Sequence, residues 1–443
     1  MGLPCLPANA GRAFAQPVTS GNRLRFRLCA SGASEIGAET QGRELLTRLG
    51  RHCSDIAIVG GGISGLATSI GLARCGLKST VYERRPFQSQ SGYGIQITPN
   101  GSAVLQELGI GKQLLAMGTP VTRIEVRSQR TNAVLHSLDM SAYRRPGNPG
   151  YLLMYRPDLI GALVQAAKAR SVDLRRSSGQ IDYGASDSGY SLSAERLASF
   201  VPSVLVGADG AGSALRRQLN PRQGPMPVQH LLWRALLPVD RKHDLFAPDT
   251  VQLIVAPRRH LVKYKVRHGR FLNLVVVKSL KKGCRASFEE VDAAAEFEEA
   301  LSGFADRHHL VERQPSVHRH RIRRGRVASC WHRQNAVLLG DALHPMPPFL
   351  AQGGNLALED AWILAKCLST STSPDAAFAR FSQLREARVG RLVQHTNRQS
   401  ALNRAAMPAT MAAGWLSPGR STQWLSNLVA RRYRWVFDWK PPT

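Results

Sequence analysis

Residues 60–65 of this 443-residue chain read Gly-Gly-Gly-Ile-Ser-Gly. The loop satisfies G-x-G-x-x-G, and its flanks are those the pattern needs. Before it, Asp55–Val59 (DIAIV) is a short apolar run suited to a buried parallel strand. After it, a helical pattern passes through Leu66, Ile70 and Leu72 and stops at Gly76. Ser79–Glu83 (STVYE) then reads as a second strand, completing a βαβ unit of about 30 residues. Gly60 permits the tight turn, Gly62 lets backbone approach a pyrophosphate, and Gly65 lets helix pack on strand. The helix start, with Ser64 in its first turn, adds free N–H groups and a positive dipole end for phosphates. Glu83, 23 residues after Gly60 and followed by Arg84, ends the second strand where a carboxylate can take both ribose hydroxyls. The unit predicts a bound dinucleotide, without choosing between nicotinamide and flavin.

Composition excludes several classes. With 43% hydrophobic and 20% charged residues, the chain has material for two or three domains and a sizeable core, unlike a disordered one. No run of eighteen apolar residues occurs, so no transmembrane helix is expected. Seven cysteines (Cys5, Cys29, Cys53, Cys75, Cys284, Cys330, Cys367) are scattered without a C-x-x-C pair. That argues against a disulfide framework, a zinc site or a dithiol redox centre, and it suits a reducing compartment such as the cytoplasm. No metal is expected.

The 59 Lys and Arg against 31 Asp and Glu give a formal charge of +28. The one dense run, His318–Arg326 (HRHRIRRGR), has no interleaved aromatics and no nucleic-acid-binding signature. It reads as a solvated basic face, and the overall charge as steering for an anionic cofactor or substrate. Residues 1–33 hold Arg12, Arg23, Arg25 and Arg27 and no acid, a composition shared by organellar transit peptides and by untargeted extensions. Residues 1–52 are expected to lie outside the fold as a flexible extension.

Further along, Tyr155–Arg170 reads as a helix and Val204–Gly207 as a strand breaking at Asp209-Gly210. Between about residues 224 and 327 the texture becomes alternating: Leu231–Pro238, Thr250–Ala256, His260–Val266 and Phe271–Lys278 predict an inserted antiparallel sheet. Ala336–Leu339 is again an apolar strand and Gly353–Leu368 a helix. The expected division is 53–223 for the first part of the nucleotide domain (with part of the sheet), 224–327 for the substrate sheet, 328–375 for the completion of the nucleotide domain, and 376–443 for a helical C-terminal region. Near the end, Trp424, Leu425, Leu428, Val429, Tyr433 and Val436 fall near helical spacing among Arg431, Arg432 and Arg434. A helix packed over the substrate domain is expected, with a peripheral membrane helix as the alternative.

Two later segments bear on the choice of dinucleotide: Val206–Arg216 (VGADGAGSALR) and Val337–Ala361 (VLLGDALHPMPPFLAQGGNLALEDA). With the glycine loop they resemble the three fingerprints of the single-component FAD-dependent aromatic hydroxylases, the 4-hydroxybenzoate hydroxylase-like monooxygenases. The likeness runs from about Asp55 to Asp438. It includes Gly94–Asn100 (GIQITPN), Tyr155-Arg156, Trp233-Arg234 and Tyr264–Gly269 (YKVRHG). Trp331 and Arg434–Asp438 (RWVFD) resemble the salicylate/3-hydroxybenzoate hydroxylase branch.

The resemblance implies an α/β fold: a Rossmann-type FAD-binding domain, an inserted antiparallel substrate sheet and a helical C-terminus. It implies an NAD(P)H- and O₂-dependent FAD monooxygenase that hydroxylates a phenolic or benzoate-like ring through a flavin C4a-hydroperoxide. It places Asp341 on the ribityl chain, Arg156 at the ribityl–pyrophosphate region, and Asp209 at the pyrophosphate and the NADH or NADPH docking site. The amides of Gly353, Gly354 and Asn355, opening a helix, can face the flavin N1–C2=O edge, where the reduced ring concentrates negative charge. Pro345 would line the reacting side.

His344 invites assignment as a general base, though the resemblance favours a mainly structural place. His230 is a candidate contact for a phenol or carboxylate, the alternative being a surface histidine. Lys263, Lys265 and Arg267 share one strand face by period two and read as a solvated face sooner than a carboxylate clamp. Lys265 stands where relatives would have proline. The rival readings are other oxidations on the same scaffold (epoxidation, oxidative decarboxylation) or a flavin redox sensor. Partners are a small aromatic substrate and O₂, with a homodimer compatible.

Overall fold

The computed structural model describes residues 55–87, 92–145, 148–176, 179–195, 197–239, 247–281, 292–305, 307–311, 316–404, 431 and 433–442. The N-terminal extension and residues 405–430, with most of the C-terminal apolar pattern, lie outside the described residues.

A six-stranded sheet runs in the order His332–Arg333, Ala336–Leu338, Val204–Gly207, Ile56–Val59, Thr80–Glu83, Asp173–Arg176. All neighbours are parallel except the first pair. Ile56–Val59, Val204–Gly207 and Ala336–Leu338 are buried at every position, which is why they read as unbroken apolar runs. Their side chains join one core with those of helices Ile63–Arg74, Arg156–Lys168 and Gly353–Thr370. The first strand lies between Thr80–Glu83 and Val204–Gly207, so the strand order reverses around it. Ligands of open α/β sheets bind outside the strand C-termini at such a point. Here those ends lead into Gly60, Arg84, Ala208 and Leu339.

The second large sheet has seven strands: Val317–Arg323, Val228–Pro238, Phe271–Ser279, Arg259–Val266, Thr250–Ala256, Arg123–Ser128 and Val134–Asp139. The inserted strands pair antiparallel with one another, as expected, and the sheet becomes mixed only where Thr250–Ala256 runs parallel to Arg123–Ser128, a strand from before the insertion. A parallel pair needs a long crossover, and here the chain passes through the other sheet in between.

One face of this sheet, with Trp233, Leu261, Leu274 and Val276, packs on Phe297 of helix Ala293–Ala300. The other face, with Val251, Tyr264 and Val266, meets Tyr151, Leu153 and Tyr155. Covering on both faces overturns the solvated reading of the lysine trio: Lys263 and Lys265 are 2% and 3% exposed. Only Arg267, in the turn beyond the strand, reaches solvent, and it bonds Asp158 at 2.6 Å. Period two was the right geometry for the two lysines, but a sheet covered on both sides leaves no solvated face.

Candidate cofactor and substrate site

The glycine loop turns through Gly60 at φ +113°, with its N–H donating to the Tyr82 carbonyl at 2.8 Å. A Cβ there would lie 2.2 Å from the Ala208 carbonyl oxygen, so no other residue fits between the two strand ends. A Cβ on Gly62, the N-cap of helix Ile63–Arg74, would meet nothing within 4 Å, leaving the helix start open to close approach. Glu83 accepts from the N–H groups of Gly61 (2.7 Å) and Arg85 (3.0 Å), which fixes its carboxylate beside the loop with lone pairs to spare. Arg84 is exposed at the same strand end.

The other strand ends deliver two acids. Asp209 Oδ2 accepts from the Tyr183 hydroxyl (3.2 Å) and the Ala214 N–H (3.0 Å), while its Oδ1 is buried with no partner among the described residues. Asp341 is open to solvent yet walled by protein, as a group in a cleft is. The surrounding protein pushes its carboxyl pKa up, opposed by His344, Arg156 and Arg216. Arg156, also at the cleft surface, has its pKa lowered by burial and by Arg234, opposed by Asp341 and Glu83. Arg216 is likewise lowered by burial and held up by Asp209 and Asp341. Residues from 83 to 344 thus form one electrostatic cluster. A Cβ on Gly340 would lie 3.0 Å from Ser64 Oγ and one on Gly353 3.6 Å from Asp341 Oδ1; with the approach of Gly60 to Ala208, all three fingerprints meet.

Beneath this cleft lies a buried polar floor. Gly353, Gly354 and Asn355 open helix Gly353–Thr370, and their first-turn amides have no intrahelical acceptors. The Asn355 side chain itself is committed to the protein: it accepts from Thr98 N–H (3.0 Å) and donates to the carbonyls of Gln96 (3.0 Å) and Ala351 (2.6 Å). Asn100 donates to Gln352 (3.0 Å) and Glu359 (2.7 Å). Glu359 also takes Arg388 through two 2.6 Å bonds. Asp360 bonds both His344 Nε2 and Arg385 Nε, the latter at 2.8 Å. Burial opposes Asp360 ionisation, but His344 and Arg385 outweigh it and lower its pKa. His344 is fully buried, with Nδ1 lacking a partner among the described residues, which fits a structural place beside the cleft.

Pro345 is half-buried in the loop after His344, and Phe349 follows in the same loop. Phe349 sits edge-on to His230 (5.0 Å between centroids) and 5.5 Å from His260. His230 is not a surface residue: it is wholly buried, with its ring nitrogens on Ser279 (3.0 Å) and Ser400 (2.6 Å) hydroxyls. Burial alone lowers the His260 pKa to about 4, so that ring is neutral at pH 7. Sequence reading missed Arg216, Asp360, Arg385 and Arg388. Glu359-Asp360 stood inside a quoted segment and offered a signal. Arg216 closed the other quoted segment, on the short helix Ala214–Leu219, whereas Arg385 and Arg388 lie on a long, mostly polar helix, Pro374–Arg404, whose sequence does not mark which face is buried.

The open start at Gly62, the orphaned Asp209 oxygen and the accessible Asp341 fit a dinucleotide's phosphates and sugar hydroxyls. The sequence pattern of one family, described as FAD binding domain, matches residues 53–396. The chain belongs to the FAD-binding-domain family. FAD is its cofactor, and its enzyme class is FAD-dependent monooxygenase.

Among relatives, a 3-amino-4-hydroxybenzoate 2-monooxygenase of Streptomyces platensis is 33% identical, over 78% of this chain and 87% of the relative. A 3-hydroxybenzoate 6-hydroxylase of Aquipseudomonas alcaligenes is 28% identical over 85% and 98%. The fold resembles that of Klebsiella pneumoniae HpxO complexed with FAD and uric acid (TM-score 0.71, 20% identity, 85% and 96% covered). It also resembles a salicylate hydroxylase substrate complex (0.68, 18%, 87% and 95%). Among the described residues no helix is long and apolar enough to cross a membrane.

Proposed function

We propose that this enzyme hydroxylates an aromatic ring bearing phenolic or carboxylate groups, using NADH or NADPH and O₂. The observation that carries the reading is the convergence of Gly60–Gly65, Asp209, Asp341 and the Gly353 helix start on one cleft. Relatives that act on hydroxybenzoates support it, since the chain matches them over nearly their whole length. Bound FAD supplies the electron transfer and oxygen activation.

In this reading the Gly62 turn and Arg156 hold the pyrophosphate, Glu83 the ribose and Asp341 the ribityl hydroxyls. The helix amides from Gly353 stabilise negative charge at the ring edge. The seven-stranded sheet, spanning 224–327 with strands from 123–139, is the substrate domain; its Tyr264 face excludes water from the cleft. Pro345 and Phe349 line the reacting side. Neither His230 nor His344 is given the role of base: both His230 nitrogens are bonded to serine hydroxyls, and the fully buried His344 is held through Nε2 by Asp360. The scattered, unpaired Cys75, Cys330 and Cys367 suit the cytoplasm.

No second glycine-rich βαβ unit is present in the sequence, so the nicotinamide docks transiently near Asp209. Ring binding then favours the docked arrangement through differential affinity. Anaerobic stopped-flow reduction tests this: a phenol or benzoate should raise the flavin reduction rate at least about tenfold, roughly 1.4 kcal/mol of barrier. Asp209→Ala should lower that rate more than it lowers FAD content. Equal rates with and without every aromatic, with all oxygen going to H₂O₂, would replace the hydroxylase by an oxidase or sensor.

A further inference from the structure

The cleft-side face of the seven-stranded sheet carries a cation that the cofactor site does not use. Side chains alternate along Val228–Pro238. Trp233 and Ala235 lie in the outer core with Phe297, and Trp233 Nε1 donates to Glu296 at 3.1 Å. Arg234 therefore lies on the opposite face. Its guanidinium stands 5.9 Å from the Tyr93 ring centre, within cation–π reach. Its cross-strand neighbours are Val275 and His318, and the Tyr93 hydroxyl bonds His318 Nδ1.

No carboxylate answers this cation. Among the described residues Arg234 forms no ion pair, whereas Arg319, on the outer face of the next strand, has Glu296 at 2.8 Å. What Arg234 meets instead is another cation, Arg156, whose charged form it disfavours, as it also disfavours that of His320. Like charges gather in this way where an anion belongs.

A second observation marks the same place. Asn273, on Arg234's face and diagonal to it across the strand pair, is fully buried. Its Oδ1 accepts from Gly94 N–H at 2.7 Å, but its Nδ2 has no partner among the described residues. Beside it, burial raises the pKa values of Tyr264 and of Tyr93, the latter to about 12, so both hydroxyls keep their protons. The wall thus offers a guanidinium fork, an unused amide N–H and protonated phenols. Arg156 is coupled to Asp341 and Glu83 on the cofactor side, which leaves Arg234 as the cation of the sheet side.

The geometry points to Arg234 as the specificity-determining residue that binds the carboxylate of an aromatic acid, with Asn273 Nδ2 as an auxiliary donor. This rests on the cleft being that of an aromatic hydroxylase. Arg234 selects the acid over neutral rings of the same shape and sets which edge of the ring faces the flavin.

The test uses the FAD-loaded full-length chain, titrated with benzoate and 4-hydroxybenzoate and with their neutral amides, benzamide and 4-hydroxybenzamide. Binding is read from the perturbation of the flavin absorbance bands. Wild type should bind the acids at least about tenfold more tightly than the amides. Arg234→Gln should erase that preference, binding the acids at least about tenfold more weakly and the amides within about twofold of wild type, with FAD content and melting temperature unchanged. Arg234→Lys, which keeps the charge but not the fork, should keep a weakened preference. If Arg234→Gln yields no FAD-loaded protein, Lys against wild type decides: an undiminished preference overturns the assignment. Acids bound equally by wild type and Arg234→Gln, or by neither, overturn it too. If acid binding depends on Arg234 while no aromatic accelerates reduction, the hydroxylase reading falls and the anion site stands. If aromatics accelerate reduction with or without Arg234, the reverse holds.

Discussion

The two large sheets concentrate chemistry in different ways. In the parallel sheet it gathers at strand ends: Gly60, Glu83, Asp209 and Asp341 each stand at or just beyond a strand's C-terminus, over a polar floor. In the seven-stranded sheet it gathers on a face, where Arg234, His260, Tyr264 and Asn273 come from within three adjacent strands. An end site is built by turns and helix starts, so backbone groups do much of the binding. A face site is built by side chains alone, so it can change from one relative to the next without disturbing the fold. On this division we propose that the first sheet holds the cofactor and the second selects the substrate.

The largest effect expected tests whether the floor supports the end site. Arg385 is 1% exposed and bridges Asp360 and Glu359, each at 2.8 Å. Burial penalises its charge, yet the two acids outweigh that and raise its pKa. Arg385→Met keeps the volume and strips Asp360 and Glu359 of the cation they share, leaving buried charge uncompensated. The expected cost is about 3–5 kcal/mol at neutral pH, read by thermal or urea unfolding of the FAD-loaded protein. An unchanged midpoint would mean that the floor is dispensable and the end site stands by itself.

The same division explains what was legible in the sequence. Strand ends are punctuated: Gly60, Asp209-Gly210 and Gly340-Asp341 interrupt apolar runs, so their positions could be read directly. Faces are not punctuated. Lys263 and Lys265 shared a face as period two requires, but that both faces are covered depends on helix Ala293–Ala300 and on residues 151–155. Arg234 stood in a recognised Trp-Arg pair, yet its lack of a carboxylate partner emerges only when six other strands are placed around it. His230 looked ambiguous for the same reason, since Ser279 and Ser400, which take its nitrogens, lie 49 and 170 residues away.

Acid titration separates the two regions by pH window. His260 has a folded pKa of about 4 against 6.5 for the free group. The unfolded chain therefore binds more protons between these values, and stability falls as pH drops from 6.5 toward 4. At pH 5 the loss should be of order 2 kcal/mol relative to pH 7. Asp360 moves the other way: its lowered pKa gives stability that is full above 3.8 and lost only as pH falls below that value. His260→Gln should flatten the melting temperature between pH 6.5 and 4 while leaving the collapse below pH 4 in place. An unchanged slope in that mutant would assign the upper window to other histidines whose pKa values are shifted down, among them His136 and His320.

The smallest effect concerns how the face is held over the end. The Arg267–Gly269 turn places two non-glycine residues at positive φ, Arg267 at 53° and His268 at 54°. Such conformations persist only when surroundings fix them. Here Arg267 takes both oxygens of Asp158, at 2.9 and 2.6 Å, and lies 4.4 Å over the Tyr155 ring. Asp158 sits in the first turn of helix Arg156–Lys168, where the helix dipole already favours a carboxylate. On the outer face of the same sheet, Lys278 and Glu299 form a 2.7 Å pair, but with side chains 38% and 67% exposed it is largely solvated. A double-mutant cycle on Asp158 and Arg267 should therefore give a coupling of about 1 kcal/mol, and one on Lys278 and Glu299 at most about 0.5 kcal/mol. The order matters more than the sizes, because both pairs are partly exposed and screened by salt. If the solvated pair coupled as strongly as the turn, Arg267 would be an ordinary surface contact. The face would then owe its position over the cleft to the buried contacts of Tyr155, Tyr264 and Val266 alone.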